Sequence, residues 1–197
     1  MDSPEAIFNP LIWEKHGRGE RSWDIFSRLL KDRIIFIGTE INSVNANFVV
    51  AQILYLSLEN RQQDIRIYIN TPGGEIDGGL AIYDTMQYVP NDIETVCVGQ
   101  AASLGAFLLA AGTKGKRFSL PNSTIMIHQV MGGVGGTAAD IEIRTAKILK
   151  DKRKMNELLA KHCGKTVEQV EADADRDHFM DAAEAKTYGI IDEILVP

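Results

Sequence analysis

The chain has 197 residues, 45% hydrophobic and 24% charged, a balance that fits one ordinary globular domain with enough apolar material for a core. A formal net charge of −6 argues against nucleic acid or an anionic membrane surface as a partner. Cys97 and Cys163 lie far apart and match no metal-ligand spacing, so no metal is expected and a reducing cytoplasm suits them. Met1–Asn9 carries Asp2 and Glu5 and no apolar run, so neither a secretory signal nor a membrane anchor is expected there.

In chain order, 22–30 reads as a short helix, 33–37 as a strand and 46–58 as an aliphatic helix. A β-rich run over 65–70 ends in Thr71-Pro72-Gly73-Gly74, and Ile76, Leu80, Tyr83 and Met86 mark one face of the next helix, which Pro90 and Asn91 stop. Strands follow at 93–98 and 124–129, with an apolar helix over 103–111 between them, ended by Gly112. This alternation predicts a mainly parallel sheet buried on both faces.

A glycine-rich stretch, Gly132 to Gly136, precedes a long helix over 138–162 in which Ile141, Ile148 and Met155 recur every seven positions. Such a helix either packs on its own sheet or projects to meet a second subunit, and periodicity does not choose between these. Asp181 with Glu184 reads as a capping box for a last helix closed by Gly189, and 190–196 as a final strand.

Chemistry enters at Gly99-Gln-Ala-Ala-Ser103-Leu-Gly105. Ser103 stands between a buried strand and the first turn of an apolar helix, where unpaired amides and the helix dipole favour a developing negative charge. Ala101 replaces the first glycine of the G-x-S-x-G elbow, so the residue also reads as a plain N-cap. The glycines of Thr71–Gly74 suit close backbone approach to a substrate, with Gly74 as an oxyanion donor, or simply a tight turn. His128, at the end of an apolar strand, is a candidate base or a satisfied core residue. Asp177 lies in an acidic run that also reads as a solvated surface. Gly164-Lys165-Thr166 resembles the end of a phosphate-binding loop, but Leu159 occupies the place of the required first glycine, so no ATP site or other cofactor is expected.

The blocks Arg18-Gly-Glu-Arg-Ser22, Tyr68-Ile-Asn-Thr-Pro-Gly-Gly74, Ile82-Tyr-Asp-Thr-Met-Gln87, 99–109, Pro121-Asn-Ser123, Met126-Ile-His-Gln129 and Met155-Asn-Glu-Leu158 closely resemble the proteolytic subunit of the bacterial and organellar Clp protease, ClpP, over 10–195. The resemblance implies the ClpP/crotonase-type α/β fold of repeated β-β-α units over a single domain, 1–197. Residues 1–21 would then form an axial gate and 130–163 a projecting handle. It implies a serine endopeptidase with Ser103 as nucleophile, His128 as base, Asp177 orienting the imidazole, and the amides of Gly74 and Leu104 as oxyanion donors. It further implies two stacked seven-membered rings, a tetradecamer, enclosing a chamber for unfolded polypeptides, with Asp175 and Arg176 at a ring-assembly contact. An AAA+ ATP-dependent unfoldase would dock at Tyr68, Tyr88, Val98, Phe118, Leu120 and Leu195. Arg66, Val130 and Thr137 depart from the family's usual aromatic, proline and glutamine. A coenzyme A thioester enzyme of the crotonase type and a non-cutting scaffold subunit are the rival readings; the intact Ser-His-Asp set disfavours both.

Overall fold

The computed structural model describes residues 10–17 and 19–196. Met1–Asn9, Arg18 and Pro197 lie outside the described residues, and with them part of the expected axial-gate segment. Leu11–His16 (β1) and Gly19–Asp24 (β2) pair as an antiparallel hairpin that turns at Gly17, whose φ of 59° favours a residue without a Cβ. The helix expected from Ser22 therefore starts later, at Ile25–Lys31 (α1). Ser22 and Trp23 are claimed by pairing with Trp13 and Ile12, and Asp24 takes the N-cap, accepting from the Ser27 amide at 3.0 Å.

The main sheet is built from Ile34–Ile37 (β3), Ile65–Thr71 (β4), Ile93–Ala102 (β5), Arg117–Ser119 (β6) and Glu193–Ile194 (β9), parallel neighbours in that order. Thr124–Ile127 (β7) branches from the far end of β5, also parallel, and His178–Met180 (β8) runs antiparallel beside β7. The predominantly parallel sheet is as expected. Strand β6 was not foreseen, and the last strand is shorter than the segment expected, because β6 offers β9 only Phe118 and Ser119 to pair with.

Ser43–Glu59 (α2), Ile76–Tyr88 (α3) and Leu104–Ala110 (α4) cover one face of the sheet. Strand alternation sends Ile65, Ile67 and Ile69 into that interface, all fully buried; cutting one to alanine would cost about 2–5 kcal/mol. The opposite face is not buried as the parallel pattern suggested. Phe36 is exposed, and Tyr68, Val98 and Phe118 are only half-buried there.

Ala138–Cys163 (α5) starts from a Thr137–Asp140 capping box and ends on Gly164 at φ 68°. Residues 131–147 are all exposed, and only from Met155 onward does the helix pack into the body, so its first half projects. The glycine-rich stretch returns along it. A Cβ on Gly132 would lie 3.1 Å from the Ile148 side chain, and Arg144 donates to the Gly135 carbonyl at 3.4 Å. Val167–Asp173 (α6) and Ala182–Tyr188 (α7) complete the chain, the latter with the Asp181–Glu184 box and Gly189 (φ 99°) foreseen for it.

Candidate active site

Three parallel strands deliver the candidate residues from their carboxyl ends, where open α/β sheets place their ligands. β4 runs out into Thr71–Gly74, β5 into Ser103 and β7 into His128.

Ser103 has φ 55° and ψ −118°, a conformation an L-residue adopts only when its surroundings enforce it. The enforcement is visible. The Ser103 amide donates to the Met126 carbonyl of β7 at 2.8 Å, while its own carbonyl accepts from Phe107 at 3.1 Å in the first turn of α4. The backbone is thus bent sharply between strand and helix, as at a nucleophile elbow, even though the glycine signature is incomplete.

The turn at 71–74 lies directly against this bend. A Cβ on Gly73 would stand 2.7 Å from the Ser103 Cβ, and one on Gly74 would stand 2.0 Å from the Ile41 carbonyl. Thr71 Oγ1 accepts from the Gly73 amide at 3.1 Å and donates to the Thr39 carbonyl at 2.7 Å. The Ile41 amide donates to Gly73 and its carbonyl accepts from Glu75, at 2.7 and 2.8 Å. The Gly74 amide sits between these two bonded groups, and the Leu104 amide, first in α4, has no helical carbonyl four residues behind it.

His128 has a side chain only 10% exposed, and its Nδ1 stands 3.7 Å from Oδ1 of Asp177, whose side chain is 60% exposed. The register of β7 and β8 pairs Ile127 with His178, so the next positions outward, His128 and Asp177, become neighbours. At 3.7 Å this is proximity without a hydrogen bond, a looseness common in catalytic groups of unliganded enzymes. In an extended segment Asp177 and Phe179, two residues on, share one side, which the apolar Phe179 would be expected to turn inward. Instead Phe179 is 60% exposed, because β8 forms the rim beside β7 and one of its faces is open.

Ser103, Leu104, Gly73, Gly74 and His128 line one cavity of about 440 Å³. Its wall continues through the buried Phe107, Ile127, Leu159 and Asn156, and its mouth carries Glu40 and Glu75. Neither carboxylate nor Asn156 was singled out from the sequence. Glu40 and Glu75 lie 35 positions apart, and nothing in the local pattern brings them together. The two thiols are unsuited to nucleophilic work, since burial pushes both Cys97 and Cys163 up to about 11. No cluster of metal-binding side chains occurs among the described residues, and none of their helices is long and apolar enough to cross a membrane.

Of the residues expected at a docking surface, Tyr68, Val98, Phe118, Leu120 and Leu195 lie on or beside β4, β5, β6 and β9. Tyr88 stands at the end of α3, 82% exposed. Phe36 stacks on Tyr68 with ring centres 5.1 Å apart, a partner that sequence reading missed although strand alternation puts both on one face. Arg66 is held by Glu94 on the neighbouring strand at 2.7 Å. Asp175 and Arg176 are both exposed and 3.6 Å apart, and Gln129 donates to the Asp175 carbonyl at 2.8 Å.

Strands that feed a cavity from their carboxyl ends, with a strained serine at its wall, define an α/β enzyme. The sequence model of the Clp protease family matches residues 17–197, and the chain belongs to that family. Its activity is accordingly that of a peptidase.

Proposed function

We propose that the chain is the peptidase core of an ATP-dependent Clp protease, a serine endopeptidase that hydrolyses unfolded polypeptides, with 1–197 as a single proteolytic-subunit domain. In this reading Ser103 Oγ attacks the scissile carbonyl while His128 takes its proton and then returns it to the leaving amine. Asp177 orients the ring and offsets its positive charge. The Gly74 and Leu104 amides bind the oxyanion; losing one such donor typically lowers turnover about 10²–10³-fold. Water then releases the acyl group by the same path in reverse.

The observation that carries the reading is the backbone of Ser103, held at φ 55° against Gly73 at the wall of a cavity shared with His128. Strain of this kind persists where function requires it. Self-association into two seven-membered rings is supported by apolar surface that needs cover. Val44, Phe48, Tyr55 and Leu58 form an exposed stripe on α2, and Ile143 and Leu149 are exposed on the projecting half of α5. The handle over 130–163 would join the two rings, Asp175 and Arg176 would contact the neighbouring ring, and residues 1–21 would gate the chamber. The half-exposed face around Tyr68, Phe118 and Leu195, together with Tyr88, suits docking of an AAA+ unfoldase in the cytoplasm.

Treatment with a fluorophosphonate followed by peptide mass mapping tests the assignment, since only an activated serine reacts quickly. The expected result is a single label on Ser103, absent in Ser103→Ala and slowed in His128→Ala. Labelling elsewhere, or none with peptide hydrolysis intact, would remove it.

A further inference from the structure

The cavity beside Ser103 is divided by polarity. Its depth is formed by Leu104, Phe107, Ile127 and Leu159, all buried, whereas its exposed rim carries two carboxylates, Glu40 and Glu75, beside Pro72 and Met131, and no Lys or Arg lines the cavity. The Glu75 carboxylate is fixed there by the Ser43 amide, which donates to Oε2 at 3.0 Å. Neither carboxylate is paired with a cation among the described residues. Lys147, the cation that reaches α3, is engaged by Asp77 and Asp151 at 3.4 and 2.7 Å.

A second feature points to a polar ligand in the same space. Asn156 is 7% exposed and lines the cavity, yet its side-chain amide makes no hydrogen bond to a described residue. Its polar atoms are open to the cavity, and a peptide entering there would offer the amide a partner.

On the reading that Ser103 is the nucleophile, we infer that Glu40 and Glu75 are specificity-determining residues, which select polypeptides carrying a lysine or arginine next to an uncharged residue seated in the cavity. A charge cannot enter the apolar depth without a partner, so the seated residue is neutral. The residue beside it emerges at the mouth, where two carboxylates attract a cation and repel an anion. Because the mouth is open to solvent, the discrimination is moderate and sensitive to salt.

The test is a set of internally quenched peptides with methionine at the cleaved bond and lysine, norleucine or glutamate at each neighbouring position in turn. The assembled protein should cleave the lysine peptide with kcat/KM about 5-fold above norleucine and further above glutamate at one or more positions, as expected for partly screened charge pairs. The ratio should shrink at high salt. In Glu40→Gln, Glu75→Gln and the double variant the lysine-to-glutamate ratio should fall towards one, whatever the absolute rate. Equal cleavage of the three peptides by the unaltered protein overturns the inference alone, as does a ratio that neither salt nor the variants change. Cleavage of none of them, with no fluorophosphonate label on Ser103, overturns the nucleophile assignment and this inference with it.

Discussion

The imidazole of His128 and the carboxylate of Asp177 face each other across the end of the β7–β8 pair, 3.7 Å apart, because Ile127 is registered against His178. Asp173, Asp175 and Asp181 have other settings. Asp173 ends α6, Asp175 lies beside Arg176, and Asp181 caps α7. Asp177→Asn should therefore lower peptidase turnover severely, towards the roughly 10⁴-fold loss seen when an amide imposes the wrong imidazole tautomer. Asp173→Asn should leave turnover nearly unchanged. Asp175→Asn should act on assembly, as a smaller particle in sedimentation. Near-full activity of Asp177→Asn in an intact particle would exclude the assigned role.

Gly73→Ala should disable the site without unfolding the chain. The new methyl would press on the Ser103 Cβ at 2.7 Å and on the Ala102 carbonyl at 2.9 Å, at a φ of 106° that alanine rarely adopts. The bend at Ser103 must give way, since the backbone it meets belongs to β5. Peptide hydrolysis should fall by about 10²-fold or more, the cost typical of a small misplacement in a catalytic geometry, with the far-ultraviolet circular dichroism unchanged. Wild-type rates of fluorophosphonate labelling would show that the close approach is incidental.

Much of this architecture was legible beforehand, and the parts that were not share a physical cause. Helix α7 announces itself through Asp181, Glu184 and Gly189, all within nine residues, and α3 through apolar positions at helical spacing. Local chemistry sets those elements. The hairpin β1–β2 is set by pairing between Leu11–His16 and Gly19–Asp24, so Ser22 and Trp23, acceptable in a helix, are drawn into a strand. Strand β6 is three residues long and exists because Thr95, Val96 and Cys97 offer it an edge. At the site, Ser103 and His128 were visible as residue types in plausible places. The positive φ of Ser103 was not, because it is enforced by the bond of its amide to the Met126 carbonyl, twenty-three positions away.

Arg117 joins parts of the fold far apart in sequence, and its partner Asp192 should be one of the most sensitive positions for stability. The guanidinium is 4% exposed. It donates from Nε and Nη2 to Asp192 at 2.9 and 2.6 Å, and from Nη1 to the carbonyls of Gly189, His162 and Ala110 at 2.8, 3.0 and 3.3 Å. Removing the carboxylate leaves a buried cation uncompensated, which typically costs about 3–5 kcal/mol. Asp192→Asn should then lower the melting temperature by roughly 6–20 °C, at about 2–4 °C per kcal/mol for a chain of this size. Burial pushes the Asp192 carboxyl up, but hydrogen bonds and charge from Arg117, with the Gly115 amide, outweigh it and hold the group below its ordinary value. Its contribution is thus complete at neutral pH and is lost as pH falls through that depressed value. A melting temperature within 2 °C of the parent would refute the assignment.

His162 should make the fold sensitive to acid in a higher window. Its Nε2 lies 3.1 Å from the hydroxyl of Tyr83, whose ring packs on Phe107 at the cavity wall with centres 5.0 Å apart. Burial lowers the imidazole to about 4, helped by the charges of Lys161 and Arg117, against 6.5 for the free side chain. The unfolded chain therefore binds a proton here between these values and the folded chain does not. Stability from this group is complete above about 6.5 and declines as pH falls towards 4. His162→Gln, which keeps a polar group near Tyr83, should flatten the fall in urea midpoint between pH 7 and pH 5 relative to the parent. The direct measurement is hydrogen–deuterium exchange at the imidazole C2 position, followed by mass spectrometry across pH. Its midpoint for His162 should lie well below that for a solvent-exposed histidine in an unfolded control. A midpoint near 6.5, or a His162→Gln profile parallel to the parent, would mean that the ring is not held neutral by its setting.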